Sequence, residues 1–197
     1  MKRTTLTTGI VALGIAATLI TYSVTSANDS KSKAKAMTES EKVKRGEYLV
    51  NSVGCDDCHS PKKMGPQGPE IIADLRFSGF PSNGQLPAVN TAEIKKGWMM
   101  MAPDLTSAAG PWGQSYAANI SSDATGIGSW KEEQFIKAIR EGKSKGLDGT
   151  RPILPPMPWF VYKNMTDDDL KSIFAYLKTT KPVPNIVPQP KPLAELK

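Results

Sequence analysis

The one histidine of this 197-residue chain directly follows its only two cysteines, as Cys55-Asp56-Asp57-Cys58-His59. Whatever the chain folds into must present two thiols and an imidazole from a single short turn. The same scarcity excludes much else. Two cysteines cannot staple a multi-bridge disulfide scaffold. A lone His59 rules out Ser-His-Asp catalysis combined with a separate histidine metal site. The length suits one domain of about 100–200 residues, and a hydrophobic share of 39% is that of an ordinary globular protein.

Three chemistries use a Cys-x-x-Cys pair. A thioredoxin-like redox motif needs a βαβ context, and no alternation of strand and helix patterns is visible here. A structural zinc site needs four ligands, usually nitrogen and sulfur, and the chain offers three such groups. The third is c-type haem attachment, in which both thiols add across the haem vinyl groups and the adjacent histidine ligates the iron. The spacing meets that demand, with both sulfurs at one porphyrin edge and His59 reaching the centre. One haem c, bound through Cys55 and Cys58, is the expected cofactor.

The ends of the chain read differently from its middle. Met1-Lys2-Arg3 is a short positive region followed by an uncharged stretch from Thr4 to Asn28, most apolar between Gly9 and Ile20. Residues 1–27 read either as a cleaved signal peptide, with Thr25-Ser26-Ala27 at the cleavage point, or as an N-terminal membrane anchor. Both place the body of the protein outside the cytoplasmic membrane, in the periplasm. Residues 28–37 read as a polar linker, 38–181 as the folded domain, and 182–197 as a proline-rich C-terminal tail. Prolines at 182, 184, 188, 190 and 192 forbid helix there and favour an extended path along the surface. Without Lys2 and Arg3 the chain carries 23 basic and 19 acidic residues. An excess that small, without a basic stripe, points away from nucleic acid.

Within the domain three helices are expected. The first spans about Glu39 to Ser52, opened by a capping box at Thr38-x-x-Glu41 and stopped by Gly54. The second opens at Ser129 with Ser-x-x-Glu132 and closes at Gly142, burying Phe135, Ile136 and Ile139. The third follows Thr166, which can cap Asp169, and buries Leu170, Ile173, Phe174 and Leu177. No convincing strand pattern appears, so the expected class is mainly α. Between Pro61 and Gly128 lies a long insertion punctuated by Gly and Pro turns. A loop that long must fold over something. Its Phe77, Phe80, Trp98 and Trp112 have apolar area to bury, which favours a loop wrapped over the haem.

With no second histidine, methionine is the natural ligand for the other face of the iron. Of eight methionines, Met1 and Met37 lie outside the core and Met64 is too near the attachment turn. Met99 to Met101 read as packing or loop, and Met165 as a hydrophobic staple at the third helix. Met157 is bracketed as Pro155-Pro156-Met157-Pro158, a stiff loop suited to holding a weak thioether ligand. The alternative for Met157 is a plug in the core. Arg151, Trp159 and Tyr162 are candidates for the haem propionates or for packing nearby.

From the motif, the proline-flanked methionine and the last helix, the chain resembles the class I cytochromes c over about residues 38–185. Asn119 through Trp130, Pro155 through Trp159, and Met165 through Leu177 resemble exported bacterial members, including cytochrome subunits of periplasmic dehydrogenases. The resemblance implies a cytochrome c fold of three or more helices around one covalent haem. It implies His59 and Met157 as axial ligands, and a close crossing of first and last helices with Gly46 facing Tyr176. The expected function is single-electron transfer to and from redox protein partners such as a dehydrogenase, an oxidase or another cytochrome, without catalysis of its own. Alternatives are a subunit fixed in a dehydrogenase or oxidase complex, or a haem-based gas sensor or peroxidase with an open iron site.

Overall fold

The computed structural model describes residues 36–196. The expected leader, and most of the linker, lie outside the described residues. The frame is set by two capped helices. In α1 (Glu39–Ser52) the Thr38 hydroxyl accepts from the Glu41 amide while the Glu41 carboxylate accepts from the Thr38 amide at 2.7 Å. In α6 (Asp167–Leu177) the Thr166 hydroxyl accepts from the Asp169 amide at 3.1 Å, and three aspartates occupy the positive first turn. Their apolar faces meet through Leu49 and Val50 on one side and Leu170, Ile173, Phe174 and Leu177 on the other. The crossing is tight because Gly46 carries no side chain. A β-carbon there would lie 1.9 Å from the Ser172 carbonyl oxygen and 2.7 Å from Tyr176 Cβ.

Two further helices complete the frame. α4 (Glu132–Glu141) buries Phe135, Ala138 and Ile139 and ends at Gly142 in the left-handed region. It opens three residues later than the sequence implies, after Lys131 and without a side-chain cap. The reason is tertiary. The Ile127 carbonyl accepts from the Trp130 amide in a tight turn, and Lys178 donates to the Gly128 carbonyl, so the backbone on either side of Ser129 is held in a turn rather than in the first turn of a helix. The four-residue α5 (Trp159–Tyr162) sits between α4 and α6 in the chain.

The insertion departs most from expectation. It holds two antiparallel assemblies: a hairpin of β1 (Lys62–Gly65) with β2 (Gly68–Ile71), and a sheet in the order β3 (Met100–Met101), β4 (Ser107–Gly110), β5 (Gly113–Tyr116). A five-residue helix, α3 (Thr91–Lys95), lies between them. The content is therefore mixed rather than mainly α. The sequence does not signal these strands because none exceeds four residues and they are mostly small, polar or unbranched residues, without the β-branched alternation that marks a strand. The Gly-Pro punctuation at 65–68 and 110–113 does mark the two hairpin turns.

Phe77 and Phe80 are buried as expected, Phe77 edge-on to Tyr176 at 6.4 Å between ring centroids. Trp112 is half-buried, but Trp98 is 65% exposed and buries little. After α6, residues 182–196 pack against the domain. Asn185 donates to the Ser78 and Phe80 carbonyls, and Lys191 pairs through its backbone with Gln114 of β5.

Candidate functional site

Gly54, in the left-handed region at φ 76°, turns the chain out of α1 and directly into α2 (Cys55–His59). One helical turn places Cys55 and Cys58, three apart, on the same face. Both thiols line a cavity of about 530 Å³, within the usual range for a small-molecule or cofactor site. Burial pushes the Cys55 thiol up to about 12, helped by Asp56 and Asp57, and burial also raises Cys58. Such thiols carry little thiolate at neutral pH, unlike the activated cysteine of a redox exchange motif.

His59 also lines the cavity and keeps part of its ring open to it while protein surrounds the remainder. Its Nδ1 lies 2.7 Å from the Ala118 carbonyl oxygen. A carbonyl only accepts, so Nδ1 is assigned the proton and the Nε2 lone pair is left free. Burial holds the imidazole below the usual histidine range, against the opposing pull of the Ala118 carbonyl and Asp56. A neutral imidazole with its second nitrogen hydrogen-bonded to protein is the form in which histidine ligates metals.

The turn is locked from outside. Arg76 donates from Nη2 to the Asp56 carboxylate at 2.6 Å and to Asn51 at 2.7 Å, and from Nη1 to the Tyr176 hydroxyl at 3.4 Å. Ser60 donates to Asp56 at 2.6 Å and accepts from the Phe77 amide at 2.9 Å. Lys62 caps the Asp56, Asp57 and Ser60 carbonyls. Burial alone would raise the Asp56 carboxyl, but Arg76 and Ser60 outweigh it and hold it below the usual range. Sequence reasoning missed this network; a carboxylate inside the motif was its only trace.

Two of the methionines line the cavity. Met157 does so from the segment between α4 and α5, and Met165 from the entrance to α6. Met165, read from sequence as a staple, thus packs on the core and also walls the cavity. Met64, Met99 and Met101 are 70%, 47% and 39% exposed, and Met100 lines a separate shallow cleft with Leu86 and Val89. Tyr162 reaches the cavity and donates to the Val53 carbonyl at 2.9 Å. Arg151 also borders it, donates to the Pro152 carbonyl, and among the described residues pairs with no carboxylate. Trp159 lies outside the cavity and packs over Gly142.

Besides the helices and the segment before α5 that carries Met157, the walls come from two further sources. From the insertion, residues from Leu105 onward contribute, among them Ala108, Tyr116 and Ile120, while nothing between Pro61 and Asp104 does. Only the last third of the insertion encloses the cavity. The other source is Ile186 to Pro190, a wall that the proline pattern alone did not predict.

A mostly apolar slot with two thiols and an imidazole on one short turn, set among packed helices, has the donor set and volume to suit a large covalently bound cofactor. Residues 43–181 match the cytochrome c family, and the chain belongs to that family. The family implies a covalent haem c, and Cys55 and Cys58 in Cys55-Asp56-Asp57-Cys58-His59 are consistent with that. The chain is 33% identical over 135 residues to the gluconate 2-dehydrogenase cytochrome c subunit of Pantoea cypripedii, covering 68% of this chain and 22% of that protein. It is 43% identical over 83 residues to the fructose dehydrogenase cytochrome subunit of Gluconobacter japonicus, covering 41% of this chain and 16% of the other. It is 30% identical over 143 residues to the quinone-type alcohol dehydrogenase cytochrome c subunit of Gluconobacter oxydans, covering 72% and 22%. The chain thus spans a quarter or less of the length of each of these relatives. Among the described residues no helix is long and apolar enough to cross a membrane.

Proposed function

We propose that this chain is an exported, single-haem c-type cytochrome that carries one electron at a time between redox proteins. Cys55 and Cys58 form the two thioethers, His59 is the proximal ligand and Met157 the distal one. The observation that carries the reading is the cavity itself, whose lining includes both thiols, the imidazole and Met157. The donor set fits the group: unactivated buried thiols for thioether formation, a neutral imidazole for iron, and a thioether, which favours the reduced state. When bound, the haem supplies a reversible one-electron couple.

The polypeptide does the rest. Ala118 fixes the His59 tautomer, and the Arg76–Asp56 pair fixes the turn from which His59 projects. Apolar walls keep water from the site, which limits reorganisation when charge changes. Arg151, free of any carboxylate among the described residues, is placed to offset propionate charge. With His59 and Met157 both holding the iron, the protein would leave no open position for a substrate, and the group would supply only electron exchange.

The named relatives favour a dehydrogenase as electron donor, with the chain acting either as a mobile carrier or as a fixed subunit. Capture from detergent-solubilised membranes separates these two forms. A stoichiometric dehydrogenase partner supports the subunit, and a free monomer supports the carrier.

Acid-acetone extraction tests the attachment. Haem stays with the unmutated polypeptide and is lost from the Cys55→Ser, Cys58→Ser double variant; complete extraction from the unmutated protein overturns the assignment. For the sixth ligand, the oxidised protein shows a weak far-red sulfur-to-iron band and the reduced protein resists carbon monoxide. Met157→Ala removes the band, admits carbon monoxide and lowers the potential. Met165→Leu, a swap of similar volume, leaves all three nearly unchanged. Ready binding of carbon monoxide by the unmutated protein would replace the carrier by an open-site haem sensor or peroxidase.

A further inference from the structure

The segment that presents Met157 is poorly able to hold itself. Pro155, Pro156 and Pro158 have no amide hydrogen to donate. Upstream the chain is anchored by the Ile153 amide on the Gly142 carbonyl, at 2.7 Å, and downstream the Trp159 amide returns to the Met157 carbonyl at 2.9 Å. Between these anchors, among the described residues, one donor from another element reaches residues 154–157. It is the Ser115 hydroxyl of β5, which donates to the Pro155 carbonyl at 2.6 Å. Ser115 is buried, and its oxygen in turn accepts from Trp112 Nε1 at 3.2 Å. A second acceptor, the Ala108 carbonyl, lies farther off at 3.3 Å, so the single hydroxyl proton is committed to Pro155.

We propose that Ser115 is a positioning residue for the Met157 loop, and that the β4–β5 hairpin of the insertion is the clamp that holds the distal ligand over the haem. This rests on the reading of Met157 as the iron ligand. Hairpin and loop are forty residues apart in the chain, and the bond joins them two residues before the methionine. A thioether is a weak ligand, so a small gain in loop freedom translates into a larger fraction of iron with an open position. The adjacent Gln114 is tied by its backbone to Lys191, so two successive residues of β5 bond to segments outside their own sheet.

The test uses oxidised and reduced holoprotein with Ser115→Ala, Ser115→Thr and Ser115→Val. The readouts are the far-red band, the rate of carbon monoxide binding and the reduction potential, each per folded haem-bearing chain. Ser115→Ala weakens the band, speeds carbon monoxide binding several-fold, the scale of one net hydrogen bond, and lowers the potential. Ser115→Thr, which keeps the hydroxyl, preserves all three. Thr and Val share shape and strand preference, so Ser115→Val against Ser115→Thr isolates the hydroxyl even where the alanine variant folds poorly. An unchanged band and carbon monoxide rate in both Ser115→Ala and Ser115→Val, with Met157→Ala still abolishing the band, overturns the positioning role alone. Persistence of the band in Met157→Ala overturns the ligand reading and this proposal together.

Discussion

The helical frame and the insertion enclose one cavity by opposite means. The frame is held by apolar faces and local caps: Leu49 and Val50 against Leu170, Ile173 and Leu177, with Thr38 and Thr166 closing the helix starts. Parts of the insertion and the segment behind it are held by buried polar side chains bonded to distant backbone. Ser60, Ser115, Asn119 and Ser121 are all buried, and their partners include Phe77, Pro155 and Val183. Among the described residues no buried side-chain nitrogen or oxygen lacks a hydrogen bond. Polar anchoring of this kind adds little net energy per bond but makes wrong arrangements costly, because each misplaced group is left unsatisfied. The frame thus supplies stability, and the insertion supplies the shape of the lid.

The sharpest way to break the contrast is at Phe77, where the insertion borrows the logic of the frame. Its ring is 2% exposed and packs on Tyr176 of α6. Phe77→Ala is expected to cost about 3–5 kcal/mol, as for other buried aromatics, read from urea unfolding of the holoprotein. A cost under 1 kcal/mol, the size of a surface change, would mean that the insertion does not share the core.

Next comes the frame's own contact. Gly46→Ala is expected to cost about 1–3 kcal/mol through overpacking at the α1–α6 crossing, because the Ser172 carbonyl that it meets is backbone and cannot rotate away. The same urea measurement checks it, and no change would mean that the helices slide freely.

A smaller effect is pH-dependent and belongs to the insertion's grip on the attachment turn. Asp56 has a folded pKa below its unfolded one because Arg76 and Ser60 outweigh burial. Its contribution is therefore complete above the unfolded value near pH 4 and is lost as pH falls through the lower folded value. The denaturation midpoint of Arg76→Leu should lie below that of the unmutated protein at pH 6, with the gap narrowing on acidification. A constant gap would assign Arg76 a packing role only. The smallest effect is expected at Trp98, where Trp98→Ala should stay within about 0.5 kcal/mol, as an exposed site does. A larger loss would show that the tryptophan is covered in solution.

Much of the frame was legible because its signals are local. Thr38-x-x-Glu41 and Thr166 each act within one helical turn, and the apolar spacing of α1 and α6 repeats over several turns. α4 starts later than the signal at Ser129 predicts, because the backbone there is held in the Ile127–Trp130 turn and by Lys178 from beyond α6. The strands of the insertion were illegible because their register rests on hydrogen bonds between short, small-residue segments, without side-chain alternation. Among the methionines, flanking prolines singled out Met157, but the sequence offered no sign that Met165 also reaches the cavity.

By itself, the sequence determined the Cys-x-x-Cys-His turn and the capped starts of α1 and α6. Thioether attachment requires two thiols and an imidazole within five residues, and a helix cap acts across three or four. Such short-range demands must be written contiguously. Tertiary structure alone decided which carbonyl orients His59, which hydroxyl steadies the loop before Met157, and which part of the insertion faces the cavity. Those depend on groups brought together from 40 to 59 residues apart, and only the packed frame determines where such distant segments meet.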